Sequence, residues 1–286
     1  MKYRHSFHAG NFADVHKHVA LLALLTALKR KDKGFLYLDT HAGRGSYELS
    51  GTSTEAATGI GRFTQTQHES EELRAYAARL AQLRSAAARP HLYPGSPLLA
   101  VSELRRQDRA VLFELQGAEA HHLENTLSAF AAARGNGPSV HVERGDGFAG
   151  LRACLPPPER RGVTFLDPPY EETRQDYAHV TTALTEGLRR FPTGVFAAWY
   201  PIKDERDSNA WRAECARALR AAVLSSELWL YPRDSRVALN GSGLLIVNPP
   251  WRTLERMLVW LPELAGCLAV GSGAGSRAQM LSQSAT

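Results

Sequence analysis

Seven short runs of this chain read as buried strands, most of them continuously apolar. They are GFLYLD (34–39), AVLFEL (110–115), VHVERGD (140–146), VTFLD (163–167), GVFAAWY (194–200), ELWLY (227–231) and GLLIVN (243–248). A continuous apolar run reads as a strand covered on both faces, because a strand with one wet face alternates. Between most of these runs the period changes. In 11–31, Val15, Val19, Leu22, Ala23 and Leu25 recur at helical spacing. In 96–107, Ser96 reads as an N-cap and Pro97 as the first helical residue. Further helical stretches are 117–134, 173–190, 203–222 and 251–265. Strands alternating with helices predict an α/β fold, a mostly parallel seven-stranded sheet with helices on both faces.

Three regions break the rhythm. About 70 residues separate the first strand from the second, whereas a crossover needs roughly a dozen. The Ala-rich stretch SEELRAYAARLAQLRSAAAR lies in that excess, which predicts an inserted helical subdomain over 50–92 within a domain spanning 1–270. The last two strands are joined by PRDSRVALNGSG. This joint is rich in turn formers and suits a hairpin, so the last strand is expected to run antiparallel. The tail GSGAGSRAQMLSQSAT (271–286) is Gly/Ser-rich and polar and reads as disordered.

Composition changes this picture little. The 286 residues carry a formal charge of +5, a modest pointer to a polyanionic partner. The longest apolar run, VALLALLTAL (19–28), is half of the ~20 residues that span a bilayer. A buried helix and a cytoplasmic protein are expected. Cys154, Cys215 and Cys267 are far apart and lack zinc spacing. His16 and His18 stand two apart, on different sides of a helix, so no metal is expected.

Two strand ends share letters: LDPPY (166–170) and VNPPW (247–251). An Asp/Asn-Pro-Pro-aromatic end to a buried strand is a known site for methylating amino nitrogens. In open parallel sheets ligands bind outside the carboxyl ends of the strands. A reversed last strand carries Asn248 to the opposite edge, so Asp167 is the chemical candidate. Asn248 reads as the cap of the last helix, with its prolines in the first turn. Asp167 can accept one N–H of an amine and the Pro168 carbonyl the other, while Tyr170 can stack on a base.

The first strand ends in LDTHAGRGSY, with Gly43 and Gly45 in the turn. Glu48 replaces the third glycine of a dinucleotide fingerprint, and Asp39 faces a pyrophosphate poorly. The end suits a ligand with a positive centre and no phosphate, which fits S-adenosylmethionine (SAM). Glu114 is placed for ribose hydroxyls. Asp146 is placed for an adenine amino group, with Gly147 allowing close approach.

These residues sit in a longer pattern. YRHSFHAGNFADVHKH (3–18), FLYLDTHAGRG (35–45), YPGSPLLA (93–100), FEL (113–115), GDGF (145–148), LDPPYE (166–171), WYP (199–201) and GSGLLIVNPPW (241–251) resemble the RlmJ family. The resemblance covers nearly the whole chain apart from the tail. It implies a Rossmann-like SAM-dependent methyltransferase with a helical insertion. The implied reaction is methylation of the N6 amine of one adenine, adenine 2030, in 23S rRNA, with 23S rRNA as partner and a monomeric protein. Asp167 would be catalytic. His18, His41, Ser96, Glu114, Asp146, Gly147 and Asp167 match SAM-contacting positions. Tyr3 matches an RNA-contacting residue, and His5 and Lys17 would order the N-terminal segment over the site. The chain departs from the pattern at Phe12 and Gln116, where a histidine is expected in each case. Competing readings are an amino-methyltransferase for DNA adenine or protein glutamine, and a non-catalytic RNA-binding protein on the same fold.

Overall fold

The computed structural model describes residues 8–49, 53–233, 235, 237 and 239–281. The strands are β1 (Leu36–Asp39), β2 (Ser46–Glu48), β3 (Leu92–Pro94), β4 (Arg109–Glu114) and β5 (Ser139–Arg144). They continue with β6 (Gly162–Leu166), β7 (Val195–Ile202), β8 (Val223–Trp229), β9 (Gly241–Val247) and β10 (Gly275–Leu281). The helices begin with α1 (Phe12–Lys29), α2 (Thr54–Ala56), α3 (Arg62–Gln65), α4 (Glu71–Ala86) and α5 (Ser96–Glu103). After them come α6 (Gly117–Arg134), α7 (Gly147–Cys154), α8 (Thr173–Arg190), α9 (Glu205–Leu219) and α10 (Thr253–Leu268).

One sheet runs β10-β8-β9-β7-β6-β1-β4-β5. Strands β5, β4, β1, β6 and β7 pair in parallel. Strand β9 runs against both β7 and β8, and β10 runs against β8. The hairpin expected before the last predicted strand is therefore present. The sheet has eight strands rather than seven, because the chain returns to its edge once more.

That return corrects the reading of the tail. Residues 275–281 form β10 along the edge of β8, and 282–286 lie outside the described residues. The segment has little apolar content to announce a strand. What holds it is a buried charge: Glu227 of β8 is fully buried, and Arg277 of β10 and Arg212 of α9 both pair with it. Tyr200 also donates to it, at 2.9 Å. Burial alone would raise the Glu227 carboxyl, but the guanidiniums outweigh burial and hold it below the ordinary range.

Helix α1 is buried on nearly every side. Asn11 caps it, accepting from the Asp14 backbone N–H at 3.0 Å. It packs on α5, α10 and β9, and on α4 and the π-helical turn Ala57–Gly61 of the 50–92 segment. The chain enters and leaves that segment through the paired strands β2 and β3. Nothing in α1 marks a bilayer span, and no helix among the described residues is long and apolar enough to cross a membrane.

Two cap expectations are corrected. Gly95 is the N-cap of α5, and Ser96 is already helical, with its hydroxyl turned to Asp39 at 2.8 Å. Asn248 does not cap α10, which starts at Thr253 after Arg252. Its amide instead donates to the Pro192 and Gly194 carbonyls at 2.8 and 2.9 Å, pinning the chain where it enters β7. Both carbonyls lie at the amino end of β7, so Asn248 emerges on the face opposite Asp167, as the strand polarity requires.

Arg277→Ala leaves Glu227 with one guanidinium fewer. We expect a loss of about 1–3 kcal/mol in urea unfolding. Unchanged stability would show that β10 is held by something other than this charge.

Candidate active site

The carboxyl ends of β1, β4, β5 and β6 open into one cleft of about 600 Å³, a size typical of small-molecule sites. Asp14, Glu114, Glu119, Asp146 and Asp167 line it, against Lys17 and Arg44. Five acids and two bases make the cleft negative within a chain that is positive overall. The cleft favours a ligand carrying positive charge.

The turn after β1 is set by Gly43 and Gly45, at φ +64° and +82°, a region most side chains avoid. Glu114 grips this turn. Its carboxylate accepts from the Gly43 N–H at 2.9 Å and from the Gln116 N–H at 2.7 Å. Burial raises the Glu114 carboxyl, and those N–H groups only partly offset it. Asp146 caps α7, accepting from the Phe148 N–H at 2.9 Å. Gly147 packs so tightly on β1's exit that a β-carbon would lie 2.0 Å from the Thr40 carbonyl oxygen. Its close approach is thus to backbone.

Behind this front wall, Asp39 is fully buried and accepts from Tyr37 (2.7 Å), Ser96 (2.8 Å) and the His41 N–H (3.1 Å). Burial still dominates and pushes its carboxyl up from 3.8 to about 6. His41 is pushed down to about 4, first by burial, with Asp167 and Asp146 pulling the other way. Its imidazole is therefore neutral at neutral pH. Thr40 spends its hydroxyl proton on the Phe165 carbonyl (3.2 Å), so His41 Nδ1 donates to Thr40 Oγ1 at 2.8 Å. That leaves Nε2 as an acceptor.

The floor of the cleft comes from α1. Lys17 Nζ lies 2.6 Å from Asp167 Oδ2, 3.1 Å from Asp14 Oδ1 and 4.6 Å from the Trp199 ring centre. His18 meets the hydroxyls of Tyr93 (3.0 Å) and Tyr76 (3.4 Å). Tyr76 belongs to α4, so the 50–92 segment buttresses the site directly.

The pattern extends to known proteins. A family model described as ribosomal RNA large subunit methyltransferase D, RlmJ, matches residues 32–280. The chain belongs to the RlmJ family. It is 39% identical over 281 residues to ribosomal RNA large subunit methyltransferase J of Haemophilus influenzae, covering 96% of each chain. The Escherichia coli K12 protein of the same name is 39% identical over 285 residues, again with 96% of each covered. A crystal structure of a Legionella pneumophila protein superposes with a TM-score of 0.82 at 34% identity, covering 97% of this chain and 99% of that one.

Within this RlmJ-family cleft the structure brings together His18, His41, Ser96, Glu114, Asp146, Gly147, Asp167, Pro168 and Lys17. Tyr3 and His5 lie outside the described residues. The segment that Lys17 is expected to order lies outside the described residues; among the described residues Lys17 pairs with Asp167 and Asp14. Tyr170 is a correction. It is 2% exposed, its hydroxyl donates to the Trp199 carbonyl, and its ring packs edge-on against Trp199 and Tyr177. A left-handed φ of +51° after the proline pair turns it away from the cleft. It cannot stack on a base from there. Sequence reasoning missed Asp14 and Trp199. The i, i+3 spacing of Asp14 and Lys17 was a usable signal. Trp199 had none beyond the motif that contains it.

The raised Asp39 carboxyl has a consequence for stability. Between about pH 4 and about pH 6 the folded protein holds a proton that the unfolded chain has released. This contribution is therefore complete below about pH 4 and is lost as pH rises through about 6. Asp39→Asn should flatten that slope by on the order of 1–3 kcal/mol in urea unfolding across the window. An unchanged slope would mean that Asp39 is ionised throughout.

Proposed function

We propose that the cleft binds SAM, and that the chain transfers its methyl group to the exocyclic N6 amine of one adenine in 23S rRNA, adenine 2030 by resemblance. The observation that carries this reading is Asp167. It leaves the carboxyl end of β6, is followed by a rigid proline pair, and lies in an acidic cleft beside a buried lysine.

SAM supplies a methyl group on a sulfonium, whose leaving group is a neutral thioether. The acid-rich wall suits that positive centre. Each Glu114 oxygen keeps one lone pair after its backbone bond, enough to meet two adjacent ribose hydroxyls. Asp146 uses one oxygen as a helix cap, which leaves the other for an adenine amino group. Neutral His41 offers an acceptor nitrogen, and His18 and Gly147 shape the walls. Ser96 acts from behind, through Asp39.

An exocyclic adenine amine is a poor nucleophile, because its lone pair is delocalised into the ring. Lys17 holds Asp167 Oδ2, so Oδ1 is the oxygen left to accept an amine N–H. The Pro168 carbonyl accepts the second N–H. Two acceptors out of the base plane favour a pyramidal nitrogen and free its lone pair. As the new N–C bond forms, the amine gains positive charge beside Asp167, then loses one proton to solvent. Positioning of this kind contributes roughly 7–11 kcal/mol in favourable cases. The target base must leave its stack to enter the cleft, and the basic chain suits the RNA backbone around it. Tyr3 and His5 are assigned to the RNA side on resemblance.

Transfer of labelled methyl from SAM to unmodified 23S rRNA, DNA and protein tests the reading. Asp167→Asn should cut transfer to rRNA by about 100-fold or more with SAM still bound. Near-normal turnover would contradict the role, and label on DNA or protein alone would contradict the substrate. Asn248→Ala should keep transfer while losing about 1–2 kcal/mol of stability. Abolished transfer in a folded Asn248 variant would overturn the assignment of chemistry to the Asp167 end.

A further inference from the structure

Strand β9 carries no chemistry at its carboxyl end. Because it runs against β7, its amino end lies on the catalytic face. Ser242 stands there, fully buried and paired across from Pro201. The Trp199 indole N–H donates to Ser242 Oγ at 2.9 Å. Ser242 Oγ also lies 2.9 Å from His16 Nδ1, and His16 Nε2 lies 2.9 Å from Ser226 Oγ on β8. Every one of these side chains except Trp199 is wholly buried, and Trp199 is nearly so.

Buried hydroxyls on central strands are costly unless bonded. Here their bonds converge on one ring. The indole N–H can only donate, so Ser242 must accept from it. A neutral imidazole offers one donor and one acceptor, which lets His16 bridge the two serines. Burial, and then the charge of the neighbouring Lys17, push His16 down to about 3, so the bridge stays neutral at working pH. The tethered Trp199 ring lies under Lys17 Nζ, and Lys17 holds Asp167. His16 and Lys17 are consecutive on α1, so one helix both sets the ring and places the charge above it.

We propose that Ser242 and His16 are positioning residues for methyl transfer, acting through the plane of Trp199 on Lys17 and Asp167. This inference rests on Asp167 holding the target amine. The test is a cycle of Ser242→Ala, Trp199→Phe and the double variant. It reads single-turnover transfer to 23S rRNA, SAM affinity by calorimetry, and thermal unfolding. Ser242→Ala should slow transfer ~10-fold while SAM affinity stays within ~2-fold. In the Trp199→Phe background it should add less than ~2-fold, because the ring through which it acts has lost its N–H. Full-rate transfer by folded Ser242→Ala, or losses that multiply in the double variant, would overturn the proposal. If Ser242→Ala does not fold, Ser242→Thr and Ser242→Val replace it. Thr should keep the rate and Val lose it, and equal rates would overturn the proposal. A severe Asp167→Asn defect beside a silent Ser242 would sink this inference alone. A fast Asp167→Asn enzyme would sink the site reading beneath it.

Discussion

One buried ammonium joins the two halves of this site. Lys17 is shared between Asp14 and Asp167, with side-chain exposures of 6%, 2% and 17%. Charges this far from water persist only when paired, because an unpaired partner costs several kcal/mol. Asp14 and Lys17 lie on the first helix, and Asp167 ends a strand some 150 residues later. The pairing therefore commits α1 to the floor of the cleft. Once α1 is there, His18 reaches Tyr76 and Tyr93, and His16 reaches the serines of β8 and β9. The 50–92 segment and the reversed edge of the sheet both come to rest on this helix.

Strand polarity gives the two Pro-Pro ends different work. Asp167 leaves a parallel strand at the cleft, and Asn248 leaves an antiparallel strand at the far face, where it ties down the start of β7. The reversed strand still serves the cleft from its other end, through Ser242. A strand can thus support chemistry at the end that looks inert in sequence.

The sheet was legible because its central strands are covered on both faces and read as unbroken apolar runs. Strand polarity followed from the length and composition of one joint. Asp39, Glu114 and Asp167 were legible too, since each ends such a run. Asp146 instead follows β5, an edge strand whose residues are exposed or half-buried rather than covered on both faces. What escaped had a non-local cause. Strand β10 depends on Arg277 finding Glu227 across 50 residues, and no local pattern shows that. Tyr170 was placed in the cleft because its letter follows the proline pair, whereas its orientation depends on a backbone angle. Ser96 read as a cap because serine favours caps, yet its hydroxyl is claimed by Asp39. Trp199 and Ser242 matter only as a pair, on strands more than 40 residues apart.

The charge distribution separates two partners. The chain as a whole is positive and the cleft is negative, which on the proposed reading sets RNA outside and a sulfonium inside. The central claim is that the amine held at Asp167 belongs to adenine in ribosomal RNA. The direct measurement is digestion to nucleosides of 23S rRNA that has reacted with the protein and labelled SAM. The account predicts label in N6-methyladenosine from a single position. Label in any other nucleoside, or none in a folded protein that binds SAM, would contradict it.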